Sequence, residues 1–274
     1  MKQIIEKVFT NSVILSGATK LKSAPSLTLP RGEGKGFTLA EVLITLGIIG
    51  VVAALTLPSL IQNYQKQVWV NQLKKSVSVW ENGMKMMLAD ADTDDLRNTE
   101  FWQSLVAIDK DYGCGYADDY SVSDNILKKY FKILKFGDLK LDGSEGCAVG
   151  VLNDGTEYKS LDGHFLLGVV DSDLRKIYMA DGTLYGLSVW AISEYGNGSL
   201  AIDVNGENKG PNQWGRDSFM FYILPNGNLV PYYKYEDLKE SSWGCGNLET
   251  GDISSTCGEG CSARIIADGW KMNY

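Results

Sequence analysis

Residues 35–42 read Lys-Gly-Phe-Thr-Leu-Ala-Glu-Val and open a long apolar run with one carboxylate near its start. From Val42 to Ile61 no residue is charged. A helix that rises about 1.5 Å per residue needs about twenty such residues to cross a bilayer core about 30 Å thick. Glu41 stands at the head of this run, where an unpaired charge in lipid costs roughly 2.5 kcal/mol or more. A simple anchor has no use for that charge, whereas a subunit that must find its neighbour inside the membrane does.

These residues resemble the processing site of type IV prepilins and pseudopilins. In that family a prepilin peptidase cleaves after the glycine, here Gly36, and the new N-terminal residue, here Phe37, is N-methylated. The resemblance implies that Glu41, at the fifth place of the mature chain, pairs with the N-terminal amine of a neighbouring subunit during assembly. Pro58 falls where many members of the family bend the helix.

Two simpler interpretations of the apolar run remain beside this one. A cleaved secretory signal has an apolar core of about 7–15 residues and a small-residue cleavage site, and this run is longer. An ordinary single-pass anchor explains the length, but it leaves Glu41 and the Gly36-Phe37 junction as accidents.

The flanking charges predict the orientation of the chain. Residues 1–36 contain six basic and two acidic side chains, a net of +4, and cationic flanks stay in the cytoplasm. We therefore expect residues 1–36 to be a cytoplasmic leader that is removed. We expect one crossing of the inner (cytoplasmic) membrane and a head outside the cytoplasm, later in an extracellular or periplasmic filament. Because the whole chain has a net charge of −8, residues 37–274 carry −12, and no nucleic acid partner is expected.

Beyond Pro58 the apolar pattern becomes one-sided. The spacings of three and four residues predict a seam along one face of a helix that continues to about Asp90. Residues 37–90 would then form a helix in two parts, the first packing against the helices of other subunits and the second carrying the head. Pro58 should remove one backbone hydrogen bond and bend this helix near the membrane surface. The seam residues are Val70, Leu73, Val77, Trp80, Met84 and Met87.

Residues 91–274 form the predicted head. The predicted fold class is α+β, with a long N-terminal helix packed on a globular head that has an antiparallel sheet, as in type IV pilins. Asp181-Gly182 and Asn226-Gly227 separate apolar runs at two-residue spacing and indicate hairpins, and the short connections favour antiparallel pairing. Short helices are predicted over Leu96–Ile108 and Asn125–Leu134, and a loop pinned by cross-links over residues 241–274. The predicted strands are Ala148–Leu152, His164–Val170, Lys176–Ala180, Thr183–Trp190, Leu200–Val204, Phe219–Leu224 and Leu229–Tyr233.

All five cysteines lie in the predicted head and are disulfide candidates, because exported cysteines tend to oxidise. We expect Cys114 to pair with Cys147, and two of the last three to pair, as Cys245–Cys257 or Cys245–Cys261, which leaves one thiol over. A zinc site at Cys257 and Cys261 is disfavoured, because no histidine is near and the domain is exported.

One polar segment of the head offers hard oxygen ligands. Asp203, Asn205 and Glu207 occupy alternate positions around Gly206, with Asp217 downstream, and such ligands suit calcium. The full EF-hand pattern is not met, because the glycine comes too early and no glutamate closes the loop. Some type II secretion pseudopilins carry calcium in a head-domain loop, so this possibility stands beside an ordinary polar connection between two strands.

Catalytic motifs are not found in the sequence, so we predict that the protein is not an enzyme and has no cofactor beyond this calcium. Two functions from different classes remain. The first is a structural subunit of a type IV pilus or type II secretion pseudopilus. Its partners would be other pilin or pseudopilin subunits, the prepilin peptidase and the inner-membrane assembly platform. The alternative is a minor, tip-located pilin whose head binds a surface ligand, and 238 residues after cleavage are many for a major pilin.

Replacing Gly36 by serine should block removal of the leader, because the expected cleavage follows this residue. Intact-mass measurement of the membrane fraction should then find the full-length chain with an unmethylated Phe37. Glu41→Val provides the control, since its leader should still be removed. A Gly36→Ser chain that is shortened to begin at Phe37 would contradict the assigned processing site.

Overall fold

A computed structural model of the chain describes residues 37–105, 120–137, 158–163, 174–188, 198–235, 238, 244–247, 252–254 and 256–274. The chain divides into two compact units, with the boundary between Ala53 and Ala54. Helix α1 (Leu39–Asp90) contributes to both units and runs through Pro58 without interruption. The bend expected at Pro58 stays a prediction.

In the first unit the described residues are 37–53, and nearly all of their side chains are exposed. Helix α1 is long and apolar enough, by length and composition, to cross a membrane, and none of its most apolar window is buried by the rest of the protein. A helix that is apolar on every side is unfavourable in water and is typical of segments that contact lipid or other chains.

In the second unit the seam of α1 faces the core, as the sequence predicts. All six seam residues are buried, with at most 9% of each exposed. The Trp80 ring stacks on Phe131 at 5.2 Å between centroids and lies 5.3 Å from the ring of Tyr185. The Tyr185 hydroxyl donates a hydrogen bond to the carbonyl oxygen of Ser76 at 2.8 Å. Since each large apolar side chain contributes about 1.5–3 kcal/mol when buried, the seam fixes α1 to this unit.

The described strands form one six-stranded antiparallel sheet in which strands adjacent in sequence are adjacent in space. The long helix followed by this sheet confirms the predicted α+β, type IV pilin-like architecture. All six residues of the fourth strand are buried, so the middle of the sheet is covered on both faces. The strands are β1 (Ile133–Phe136), β2 (Leu174–Met179), β3 (Leu184–Ser188), β4 (Gly198–Asp203), β5 (Ser218–Ile223) and β6 (Leu229–Pro231).

Both predicted hairpins are present, and each has a three-residue loop in place of the two residues expected. The amide of Met179 donates to the carbonyl of Thr183 around Gly182, and the amide of Leu224 donates to the carbonyl of Asn228 around Gly227. Gly182 has φ +93° and Gly227 has φ +80°. This left-handed conformation closes a turn of this length and favours glycine, which explains why the Asp-Gly and Asn-Gly pairs were informative.

The predicted helix Asn125–Leu134 has the wrong limits. Helix α2 (Ser121–Tyr130) ends where Phe131 adopts an extended backbone, with φ −125° and ψ 147°. Leu134 belongs to β1, a strand that the sequence analysis missed, because pairing of Ile133 with Met179 takes precedence over the local helix pattern.

Two further differences concern helical segments. The predicted helix Leu96–Ile108 begins as a 3-10 turn over Leu96–Asn98, followed by helical residues 100–105. Residues 241–274, predicted as a loop, contain helix α3 (Cys261–Ala267). Its Ala, Arg and Ile residues favour helix, and the complete burial of Ile265 stabilises it against the core.

The structure selects one of the two disulfides left open at the C-terminal end. Cys245 is bonded to Cys261, with 4.7 Å between their Cα atoms. Cys257 is free and half-buried, and burial together with the charges of Glu259 and Asp162 raises the pKa of its thiol. The zinc interpretation of Cys257 and Cys261 is therefore wrong, because the sulfur of Cys261 is already used.

Some predictions lie outside the described residues. They are the Cys114–Cys147 disulfide and the strands Ala148–Leu152 and His164–Val170. The last predicted strand, Leu229–Tyr233, ends at Pro231, although the amide of Tyr232 still donates to the carbonyl of Met220.

Candidate functional site

The first candidate site is the start of α1. Gly36 lies outside the described residues, and Phe37 is 85% exposed. The Oε2 atom of Glu41 accepts hydrogen bonds from the backbone amide of Thr38 at 2.8 Å and from its hydroxyl at 2.9 Å. The amide of Glu41 in turn donates to the Thr38 hydroxyl at 3.2 Å. These reciprocal bonds are a capping box, which satisfies amides that otherwise lack partners at a helix start.

The capping box determines where the Glu41 carboxylate can act. It holds the charge beside the positive end of the helix dipole and close to Phe37, the residue that becomes N-terminal if the leader is removed. Thr38 is therefore a positioning residue for Glu41. The sequence analysis did not assign it this role, although the Thr-x-x-Glu spacing of Thr38 and Glu41 was a readable signal.

The second candidate site is a pair of fully buried carboxylates at the facing ends of two strands. Asp203 is the last residue of β4, and Asp217 directly precedes β5. The Asp203 Oδ1 atom accepts from the amides of Asn205 at 3.1 Å and Gly206 at 2.8 Å. Its Oδ2 atom accepts from the hydroxyl of Tyr158 at 2.8 Å.

Asp217 closes the other end of the same connection. Its Oδ2 atom accepts from the amide of Asn212 at 3.0 Å, and its Oδ1 atom accepts from the amide of Gln213 at 2.8 Å. The amide of Val204 also donates to the backbone carbonyl of Asp217 at 2.9 Å. The two carboxylates thus hold the whole 204–216 connection in shape from its two ends.

The electrostatic balance of the pair is unfavourable when both groups are ionised. Burial, followed by the negative charge of Asp217, raises the pKa of Asp203 to about 7, against the hydrogen bonds that lower it. Burial also raises the pKa of Asp217, while the amides of Gln213 and Asn212 oppose that shift. When two buried carboxylates lie near each other, a bound proton or a cation is needed to neutralise part of their negative charge.

Two asparagine side chains of the same connection have oxygen atoms that could bind a cation. The Oδ1 atoms of Asn205 and Asn212 are both buried and have no hydrogen-bond partner among the described residues. Such atoms are costly to leave unsatisfied, and amide and carboxylate oxygens are the ligands that calcium prefers. These two asparagines and the two aspartates therefore carry the types of oxygen that a hard cation binds.

Glu207, the remaining predicted ligand, is turned elsewhere. Its Oε2 atom lies 2.9 Å from the Nζ atom of Lys176, and its Oε1 atom accepts from the hydroxyl of Tyr178 at 2.8 Å. Within the part of the chain that the structure describes, no group of three or more His, Cys, Asp or Glu side chains is placed to hold a metal. The structure thus brings Asp203, Asn205 and Asp217 together and leaves Glu207 out.

Asn212 and Tyr158 are members of this site that the sequence analysis missed. Asn212 has a positive φ of 51°, next to the cis Gly210–Pro211 peptide bond. Its Lys-Gly-Pro-Asn surroundings indicate a turn but give no sign of a ligand. Tyr158 comes from a distant part of the chain and carries no local signal at all.

Residues 34–57 match the family model of the prokaryotic N-terminal methylation motif. This motif is the signal of type IV prepilins and pseudopilins, so the resemblance found in the sequence is confirmed over these residues. It implies processing by a prepilin peptidase and assembly with other pilin subunits, and together with the apolar helix it fits a membrane-anchored precursor. No curated protein and no solved structure matches the chain.

Asp203 should make the stability of the metal-free protein depend on pH. Its pKa is about 7 in the folded state and 3.8 as the ordinary value, so the folded state keeps a proton that the unfolded chain releases. With a chelator present, the free energy of unfolding should fall as the pH rises from about 4 to about 7, by on the order of 4 kcal/mol at most. Asp203→Asn should flatten this dependence in thermal melts across the pH range.

Asp92→Asn is the matched control for this experiment. Asp92 is an exposed acid in another loop at φ 50°, a conformation that asparagine accepts. Its melts should keep the wild-type dependence on pH. Equal slopes for Asp203→Asn and the wild type would contradict the raised pKa.

Proposed function

We propose that this protein is a structural subunit of a type IV pilus or a type II secretion pseudopilus. The observation that carries the proposal is the methylation motif over residues 34–57, at the start of a helix long and apolar enough to cross a membrane. In this proposal a prepilin peptidase removes residues 1–36 on the cytoplasmic side. The mature chain is then anchored in the inner membrane, with residues 91–274 as its head outside the cytoplasm. The assembly platform adds it to a filament from there.

Glu41 is the residue that we propose pairs with a neighbour. Before assembly its carboxylate has hydrogen bonds from Thr38 but no cation among the described residues, which is an unfavourable state in lipid. The N-terminal amine of a neighbouring Phe37 would supply the missing positive charge. In a low-dielectric surrounding the attraction between two such charges is large, so the pair favours insertion at the correct axial position.

The second part of α1 supports the role of a filament subunit because it is packed tightly against the rest of the second unit. Its seam is filled by the protein's own core, and the Glu81 Oε1 atom accepts a hydrogen bond from the amide of Leu229 at 3.0 Å. The helix is thus held at several points along the second unit. A subunit pulled by its helix would in this way carry its head into the filament.

Replacing Glu41 by valine should reduce incorporation into filaments by about tenfold or more, since a loss of 1.4 kcal/mol already corresponds to tenfold. Membrane insertion and leader removal should be kept. The measurement is the ratio of this subunit in sheared filaments to that in the membrane, by quantitative immunoblot. Thr45→Val is the matched control, because Thr45 is a polar residue of the same segment whose hydroxyl bonds only the carbonyl of Val42. Normal incorporation of Glu41→Val would contradict the pairing.

We also propose that Asp203, Asp217, Asn205 and Asn212 hold a calcium ion. The support is the pair of buried amide oxygens without partners beside two buried carboxylates. The ion would neutralise the two aspartates at neutral pH and fix the 204–216 connection of the head. Water or backbone oxygens would complete the coordination that calcium requires.

Calcium should raise the melting temperature of the chelator-treated protein at pH 7.5. At a concentration about 100 times the Kd, binding to the folded state alone adds about 2.7 kcal/mol. Asp217→Asn should lose the shift, whereas Glu207→Gln should retain it, because Glu207 is occupied by Lys176 and Tyr178. Asp92→Asn is the control for a surface acid. The absence of a shift in the wild type would overturn the calcium assignment and leave the subunit role unaffected.

A further inference from the structure

A cleft of about 530 Å³ lies in the second unit between helix α1 and the segment that follows helix α3. One wall presents the amides of Asn63, Gln67 and Asn71, which recur every four residues and so share one face of α1. The other wall is the segment 270–273, which includes the half-buried Trp270. The cleft is therefore lined by hydrogen-bond donors and one aromatic ring.

The charge of this cleft is opposite to that of the chain. Its lining includes Lys66 and Lys271 and no acidic residue, although the chain has 34 acidic against 26 basic side chains. Lys74 adds a third cation, with its Nζ atom 5.3 Å from the centre of the Trp270 ring. Burial, followed by the nearby charge of Arg216, lowers the pKa of Lys66. The Nζ atom of Lys66 donates to a terminal carboxylate oxygen of Tyr274, so one anionic group also faces the lysines at the cleft.

The Asn63 end of the cleft lies at the level of a membrane surface along α1, and the Asn71 end lies beyond it. Ile61 is the last residue of the uncharged run, and Asn63 follows two residues later in the same helix. At a rise of about 1.5 Å per residue, Asn63 lies about 3 Å and Asn71 about 15 Å beyond Ile61 along the helix axis. Lipid headgroups occupy roughly 5–8 Å on each side of the hydrocarbon core. Tryptophan and lysine are the side chains that favour this layer.

We infer that this cleft binds the phosphate headgroup of an anionic phospholipid in the leaflet that faces away from the cytoplasm. Lys66 and Lys271 pair with the phosphate, and the amide of Asn63 donates a hydrogen bond to the headgroup. Cationic donors and a phosphate form strong charge-assisted hydrogen bonds, which the acidic remainder of the surface cannot offer. The inference rests on the membrane anchoring of the proposed function and does not require assembly into a filament.

The test is native mass spectrometry of the full processed chain in neutral detergent, with phosphatidylglycerol or phosphatidylcholine added at equal concentration. The wild type should retain phosphatidylglycerol in preference to phosphatidylcholine. Lys271→Gln, at an exposed position that should not affect folding, should weaken the phosphatidylglycerol affinity about fivefold, and Lys66→Gln in addition should weaken it by about fivefold more. The double variant Lys85→Gln, Lys132→Gln removes the same charge from exposed positions elsewhere and should bind as the wild type does.

Each other outcome overturns the inference in a distinct way. Equal retention of the two lipids, or equal affinity of the cleft and control variants, would show that the cleft does not select an anionic headgroup. If millimolar inorganic phosphate displaced phosphatidylglycerol as completely as excess lipid does, the cleft would be a site for free phosphate. A dimer that replaces the lipid adduct and is lost in the cleft variants would indicate a second copy of the chain. Flotation with vesicles separates failure of the membrane anchoring itself, since an unanchored chain would not float.

Discussion

Helix α1 must satisfy two different surroundings with one continuous backbone, and the rest of the structure depends on how it does so. Its first half is apolar on every side, so only lipid or the helices of other chains can cover it. Its second half is apolar on one seam, where Trp80 is covered by Phe131, directly after α2, and by Tyr185 of the sheet. Because helical hydrogen bonds are internal to the segment, the backbone is satisfied in both surroundings and only the side chains have to change.

The two candidate sites use carboxylates in opposite ways. Glu41 is exposed, is positioned by Thr38 and has an unbalanced charge that favours pairing with a partner. Asp203 and Asp217 are buried and hydrogen-bonded, and burial raises the pKa of both, with the charge of Asp217 adding to the shift of Asp203. In the first case the missing cation would come from another subunit, and in the second it would be a metal ion or a proton. Desolvation sets the strength of both effects, because a charge removed from water gains most from a partner.

The cleft beside Trp270 in the second unit is a third arrangement of charge. Lysines and amides gather at the level where α1 leaves the uncharged run, in a chain that is otherwise acidic. An acidic surface repels anionic lipid, so in the inferred binding mode contact with headgroups is concentrated at this cleft. The helix and the 270–273 segment come together there only because α3 and the Cys245–Cys261 disulfide hold the end of the chain against the core.

The sequence by itself determined the features that depend on the spacing of residues along one segment. The methylation motif, the span from Val42 to Ile61, the seam of α1 and the two glycine hairpins could all be predicted, because each is encoded by neighbours in the chain. It misassigned β1 and α3, where pairing with β2 and burial of Ile265 outweigh the local pattern. Only the tertiary structure decided that Cys245 bonds Cys261, that Glu207 pairs with Lys176, that Tyr158 bonds Asp203 and that Asn212 bonds Asp217. These choices depend on contacts between residues far apart in the chain, for which the sequence contains no periodic signal.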